Sequence, residues 1–222
     1  MENLQQALYL IADEMRGMAS MGKQFAGNVY ELERAHRIME LAAQVAALAD
    51  DQPLDTVKAI FEQAPWLRFS PMIGVEAAVF NPQGEILLIQ RRDNAHWAIP
   101  GGVAEIGRTL AESALRELWE EAGLRGRVER LLAVFDGRLW GSRSKVHLVH
   151  PVFLVTCDDL TPQPGIETLD AQFFARDHLP APLHRGHDLR IPRVFEALDQ
   201  PAFFDPADSR AAVMPMEQRT GQ

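Results

Sequence analysis

The chain has a single cysteine, Cys157, in 222 residues, so no disulfide can form within it and a disulfide-stapled fold is excluded. On a predicted strand, Cys157 reads as a small buried apolar side chain, with a reactive thiol as the rarer alternative. No apolar run approaches the roughly 18 residues of a membrane-spanning helix. The N-terminus lacks the basic-then-apolar order of a secretory signal. Basic residues are outnumbered, with 22 Lys and Arg against 31 Asp and Glu, and a formal net charge of −9. That balance argues against a broad nonspecific nucleic-acid surface, although it leaves room for a local basic groove. The expectation is a reduced, cytoplasmic protein that does not engage a membrane. With 47% hydrophobic residues, the chain can bury one full domain and a smaller one.

The first 66 residues read as that smaller, all-helical domain. Leu4, Leu8, Ile11, Met15 and Met18 recur in steps of four and three, and Ala35, Ile38, Ala42, Val45 and Ala49 repeat the spacing after Gly27. Asp51, Gln52 and Pro53 break the second run, and a third helix is expected over Leu54–Gln63. A hairpin this small rarely buries enough surface alone, so it should pack on the second domain, on a second copy, or on both. Its role is either dimerisation and substrate shaping or simple packing. The methionines Met15, Met18 and Met21 read as adaptable filler.

From Pro71 the pattern turns to strands, with Ile73–Phe80 and Glu85–Gln90 flanking the turn Asn81-Pro82-Gln83-Gly84. Ile86–Ile89 is apolar at every position, as in a strand covered on both faces. Arg91, Arg92, His96 and Trp97 follow, directly before Gly101 and Gly102. They could meet phosphate and a base at the mouth of a site, or they could form a solvated loop anchored by Trp97. Later strands are expected over Val128–Phe135, Lys145–Thr156 and Ala171–Phe174, and a closing helix over Asp188–Leu198. Asp136–Ser144 reads as a loop able to lie over a substrate, with Arg138 and Arg143 as candidate contacts. His147 and His150 lack metal-ligand spacing to a third residue and read as structural. Residues 206–222 read as a mobile tail.

Between these strands lies the stretch the chain is organised around, Gly101 to Leu124. Thr109 and Glu112 form a capping box, Leu110, Ala114, Leu115, Leu118 and Ala122 make a buried stripe, and Gly123 suits a left-handed stop. Glu117, Glu120 and Glu121 stand at i, i+3 and i+4 and project from one side of the helix. Three like charges weaken an isolated helix. A hard divalent cation offsets their repulsion, since Mg²⁺ prefers carboxylate oxygens, water and substrate phosphates. A plain solvated acidic face is the alternative.

Counted from Gly102, the run with Arg116, Glu117, Leu118, Glu120, Glu121, Gly123 and Leu124 resembles the signature box of the Nudix hydrolases, and Ala98–Gly102 resembles its usual lead-in. The N-terminal run Leu8–Glu14 is similar, more softly, to the helical domain of a subgroup that includes CDP-choline and ADP-ribose pyrophosphatases. The resemblance implies an α/β/α sandwich with a mixed sheet over residues 70–205, preceded by the all-α domain, and a homodimer. It implies hydrolysis of a nucleoside diphosphate linked to another moiety. It also implies that Glu117, Glu120 and Glu121 ligate Mg²⁺ or Mn²⁺, that Arg116 orients them, and that a loop carboxylate such as Glu167 serves as general base. Arg92, Gly101 and Gly102 are the expected substrate contacts, the glycines by letting backbone approach the diphosphate.

One position departs from the box. Its glutamate, five intervening residues after Gly102, is Arg108 here. Arg116 then needs another partner, and Glu112, one turn earlier, and Glu105, in the loop, are the candidates. Arg108 either weakens and retunes the site or contacts substrate phosphate; on the first view Arg108→Glu raises turnover. Trimming of RNA ends and non-catalytic sensing of a nucleotide ligand are the alternative functions, the latter suggested only by Arg108. No box residue encodes the base or the leaving moiety.

Overall fold

In the computed structural model, which describes residues 2–50, 53–63, 70–105, 107–142 and 146–209, the chain divides into two compact units. Of the described residues, those within 1–72, 137–148 and 206–222 form the first unit, and those within 73–136 and 149–205 the second. Arg143 and most of the expected mobile tail lie outside the described residues.

The first unit is built on helices α1 (Glu2–Phe25), α2 (Val29–Asp50) and α3 (Leu54–Gln63). Asn28 starts α2 by accepting a 3.0 Å bond from the Glu31 N–H, a side-chain cap for a free helix donor. The seam between the helices keeps Met15, Ile38, Ala42 and Val45 of the expected pattern, but not all of its first run. It is lined by Ala12, Ala19, Ala42, Ala43 and Ala46, closed by Met39, Val57 and Phe61, whereas Leu4, Met18 and Met21 are exposed. Alanine lets helix axes approach closely, so short side chains line the hairpin while Met15, Ile38 and Val45 pack at its margin and Leu4 and Met18 stay exposed.

Residues 137–142 and 146–148 group with this unit, and Arg138, a candidate substrate contact from sequence, is buried within it. Arg138 is only 2% exposed; it donates to Asp13 at 2.7 Å and lies 4.4 Å over the Tyr9 ring. Asp13 is shared with buried Arg16 at 3.6 Å. A buried arginine is retained only with such partners, so Arg138 is a fastener of the helical unit.

In the second unit the strands are β1 (Met72–Val79), β2 (Ile86–Arg91), β3 (Trp97–Ala98), β4 (Gly101–Val103), β5 (Gly126–Asp136), β6 (Leu148–Cys157), β7 (Thr168–Phe174) and β8 (Phe203–Phe204). They form one sheet in the order β4-β1-β6-β5-β8 and a second in the order β3-β2-β7. The first sheet is mixed: β8 runs parallel to β5, while β5 with β6 and β1 with β4 are antiparallel. Helix α4 (Leu110–Ala122) buries Ala114, Leu118 and Ala122 among Val75, Ala77, Val79, Leu87 and Ile89. Each large apolar side chain buried there contributes about 1.5–3 kcal/mol. Helix α5 (His187–Glu196) buries Ile191, Val194 and Phe195. Among the described residues no helix is long and apolar enough to cross a membrane.

Candidate active site

Helix α4 begins and ends as its sequence dictates. Thr109 accepts from the Glu112 N–H at 3.1 Å, Glu112 accepts from the Thr109 N–H at 2.7 Å, and Gly123 closes the helix at φ 68°. With Glu112 committed to the cap, Arg116 turns to Glu105 and to Glu120, the latter at 2.8 Å. Glu105 also holds Arg108 at 2.7 Å, so one loop carboxylate serves two cations. Both guanidinium groups hold Glu105 below the usual carboxylate range against a desolvation that would raise it.

On the inner side of α4 a cleft of about 630 Å³ is lined by Arg91, Arg92, Asp93, Gly101, Gly102, Val103, Glu117, Glu121, Ile166 and Glu167. It brings together six of the residues expected from sequence: Glu117, Glu121, Glu167, Arg92, Gly101 and Gly102. Arg116, Glu120 and Arg108 are not among its lining residues, and they form the chain of ion pairs around Glu105 instead. Arg108, expected on substrate phosphate, is thus directed to a carboxylate.

Gly101 and Gly102 lie in strand β4, where Gly101 pairs with Glu76 and Gly102 with Val75. A Cβ on Gly102 would fall 2.5 Å from the Glu117 carboxyl carbon, and one on Gly101 would fall 3.0 Å from Glu76 Cα. The missing side chains make room for protein, namely the Glu117 carboxylate and strand β1.

The electrostatics single out two carboxylates. Glu121 is 6% exposed and accepts a 2.8 Å bond from the Gly101 N–H. Burial pushes its carboxyl up to about 7, with Glu117 and Glu167 adding to the rise and the Gly101 N–H and Arg91 opposing it. Glu117 is raised for the same first reason, then by Glu120 and Glu167. Among the described residues no group of three His, Cys, Asp or Glu side chains forms a ready-made metal cage. The donor set still suits a hard cation: Mg²⁺ needs only one or two protein carboxylates and takes water and substrate phosphate for the rest. Glu117 and Glu121, crowded and short of counter-charge, could serve as those carboxylates, while Glu120 beside them is paired with Arg116.

The two arginines where strand β2 ends, Arg91 in the strand and Arg92 just past it, have separate roles. Arg92 donates to the carbonyls of Ile166 and Thr168, both at 2.7 Å, so two of its donors hold the Glu167 loop. Arg91 forks onto Asp93 with two 3.0 Å bonds; that contact raises it, and Glu121 and Glu167 add to the rise. Sequence reasoning placed Arg91 beside the mouth without singling it out, and it missed Asp93, Val103 and Ile166. Trp97 is buried edge-on against Phe174 at 4.9 Å between ring centres, an anchor with no face for a base.

With fold and cleft in place, comparison with known proteins gives the class. The NUDIX domain pattern matches residues 70–194, and a "UDP-X-like, N-terminal oligomerisation domain" pattern matches residues 6–61. Bacillus subtilis YjhB is 30% identical over 193 residues, 86% of this chain and 91% of that protein. An ADP-ribose pyrophosphatase of Methanocaldococcus jannaschii is 32% identical over 117 residues, covering 51% of this chain and 68% of that one. The crystal structure of a UDP-X diphosphatase superposes with a TM-score of 0.57 at 26% identity, across 87% of this chain and 96% of the other. The chain belongs to the Nudix family, as a pyrophosphatase with a helical N-terminal domain of the UDP-X-like type.

Proposed function

We propose that the protein hydrolyses the pyrophosphate bond of a nucleoside diphosphate linked to a second moiety, of the ADP-ribose or UDP-linked kind, and releases a nucleoside monophosphate. The observation that carries this reading is the pairing of two raised, half-buried to buried carboxylates, Glu117 and Glu121, with Arg91 and Glu167 in one open cleft. Glu117 and Glu121, joined by Glu120, would hold Mg²⁺ or Mn²⁺, which would polarise the phosphoryl oxygens as a Lewis acid. Arg91 is the fork for a phosphate, which replaces Asp93 as its partner when substrate enters. Glu167 takes a proton from the attacking water. The water oxygen bonds to one phosphorus, the bridging oxygen leaves with the other, and two monophosphates result.

The name of the M. jannaschii relative and of the superposed diphosphatase support this substrate class. The test is monophosphate release from ADP-ribose, UDP-glucose, CDP-choline and a short 5′-triphosphorylated RNA, with Mg²⁺ and separately with Mn²⁺. Preferred cleavage of one nucleoside diphosphate derivative is expected. Cleavage of the RNA alone, or nucleotide binding without product, contradicts the reading.

The helical unit is proposed to make a homodimer. Leu48 is 78% and Tyr30 77% exposed, alongside Leu4 and Val29, and an apolar surface of this kind suits a second copy. Light scattering should give twice the chain mass, and Leu48→Glu with Tyr30→Ser should give one.

A further inference from the structure

The loop that carries Glu167 is tied to the very residue whose carboxylate dominates the cleft. Thr168, 1% exposed, donates its hydroxyl to the Glu121 carbonyl at 2.8 Å and accepts from the Gly165 N–H at 2.7 Å. The Gly165 N–H also reaches the Glu121 carbonyl at 3.3 Å, and the Gln163 N–H reaches the Ala122 carbonyl at 2.8 Å. These carbonyls belong to the last turn of α4 and have no partner within the helix. Gly165 is pressed so closely to that turn that a Cβ would lie 2.9 Å from the Glu120 carbonyl carbon. From the other side, Arg92 grips the carbonyls of Ile166 and Thr168 through its side chain and that of Glu167 through its N–H, the last at 3.0 Å.

The pairing of β2 with β7 shifts register here: Gln90 faces Asp170, but Arg91 faces Thr168. A bulge of this kind re-aims side chains where a strand meets a site. The carbonyls of Ile166, Glu167 and Thr168 are thus held by Arg92, and the Gly165 N–H and Thr168 hydroxyl by the end of the box helix. Glu121 serves twice, its carboxylate in the cleft and its carbonyl as the anchor.

We propose that Thr168 is a positioning residue for hydrolysis, its hydroxyl setting the Glu167 carboxylate at a fixed place relative to Glu121. This rests on the reading of Glu167 as the base. The hydroxyl does two jobs that a methyl group cannot, while valine keeps the volume; a displacement of about 1 Å in a catalytic group can cost on the order of a hundredfold in rate.

The test uses the full chain with ADP-ribose and Mg²⁺, or UDP-glucose if that is the better substrate. Thr168→Val is expected to lower kcat about 10- to 100-fold with KM and Mn²⁺ affinity within about twofold of wild type, by the same positional argument. Thr168→Ser, which keeps the hydroxyl, restores most of the loss. Glu167→Gln lowers kcat by about 10² or more, and adding Thr168→Val to it costs little further. If Thr168→Val fails to fold, Arg92→Met releases the same loop from an exposed site and carries the same expectation. Full kcat in a folded variant, losses that multiply with Glu167→Gln, or a change in KM and Mn²⁺ affinity alone overturns the proposal. A loss with Thr168→Val beside an unimpaired Glu167→Gln also overturns it, and assigns the failure to the base. Silence of the wild type on every diphosphate is the separate failure of the hydrolase reading.

Discussion

Two buried carboxylates border Gly101, and the fold treats them in opposite ways. Glu76, its cross-strand partner, meets Arg190 at 2.9 Å, His150 at 3.4 Å and His187 at 3.6 Å. Burial alone would raise it, but Arg190 and the two histidines outweigh burial and hold it well below the usual carboxylate range. Glu121 takes one N–H from Gly101 and has Glu117 and Glu167 for neighbours, so burial wins. The first carboxylate has its counter-charge built into helix α5. The second has no such ion pair among the described residues, and under the proposed function a bound cation would supply it. Buried charge of itself does not mark a site; buried charge without a resident partner, open to a cleft, does.

The comparison can be broken at either end. The largest effect belongs to Glu121→Gln, which should reduce turnover at least 100-fold, since even indirect supporters of a metal site commonly contribute 10- to 100-fold; steady-state kinetics on the preferred diphosphate checks it. Glu76→Gln acts on stability instead. It strands Arg190 without a counter-ion, and removing one partner of a buried pair costs about 3–5 kcal/mol, readable by urea denaturation.

pH separates the two further. The Glu121 carboxyl is raised from 4.5 to about 7, so the folded state holds a proton that the unfolded chain has released. Stability in metal-free buffer should therefore fall as pH rises from about 4.5 to 7, by a few kcal/mol at about 1.4 kcal/mol per unit. Thermal melts should show this slope, Glu121→Gln should flatten it, and Mg²⁺ should restore the melting temperature at pH 8. Glu76, depressed, has the opposite sign: its contribution is present above 4.5 and is lost as acid protonates it. The smallest effect belongs to Arg108→Glu. It frees Glu105 for Arg116 alone and adds a second carboxylate beside it, and at the scale of exposed ion pairs turnover should rise by no more than about fivefold. An unchanged or lower rate on the preferred substrate contradicts that role for Arg108.

The contrast also explains what the sequence could say. Helix α4 was legible to the residue, because its cap, stripe and stop are local signals carried by Thr109, Glu112, Leu118 and Gly123. Ile86–Ile89 was legible as a doubly covered strand for the same reason. The two-residue strands β3 and β8 carry no period and left no signal. Nor did Arg138, whose partner Asp13 stands 125 residues away. The divergence of Glu76 from Glu121, and the tether through Thr168, depend on which residues β1, β7, α4 and α5 bring together. Composition and spacing are silent on such long-range pairs. Of the N-terminal seam, only Leu4 and Met18 misled: large apolar residues at heptad spacing mark a face, but not whether its own hairpin or another surface covers each of them.

The most direct test of the central claim is ³¹P NMR of ADP-ribose incubated with Mg²⁺ at pH 8, with wild-type protein and with Glu121→Gln in parallel. The account predicts that the wild type converts the diphosphate signals into those of two monophosphates, while folded Glu121→Gln leaves them in place. Equal conversion by both proteins would contradict it, because the cleft carboxylate without a resident partner would then have no part in the chemistry.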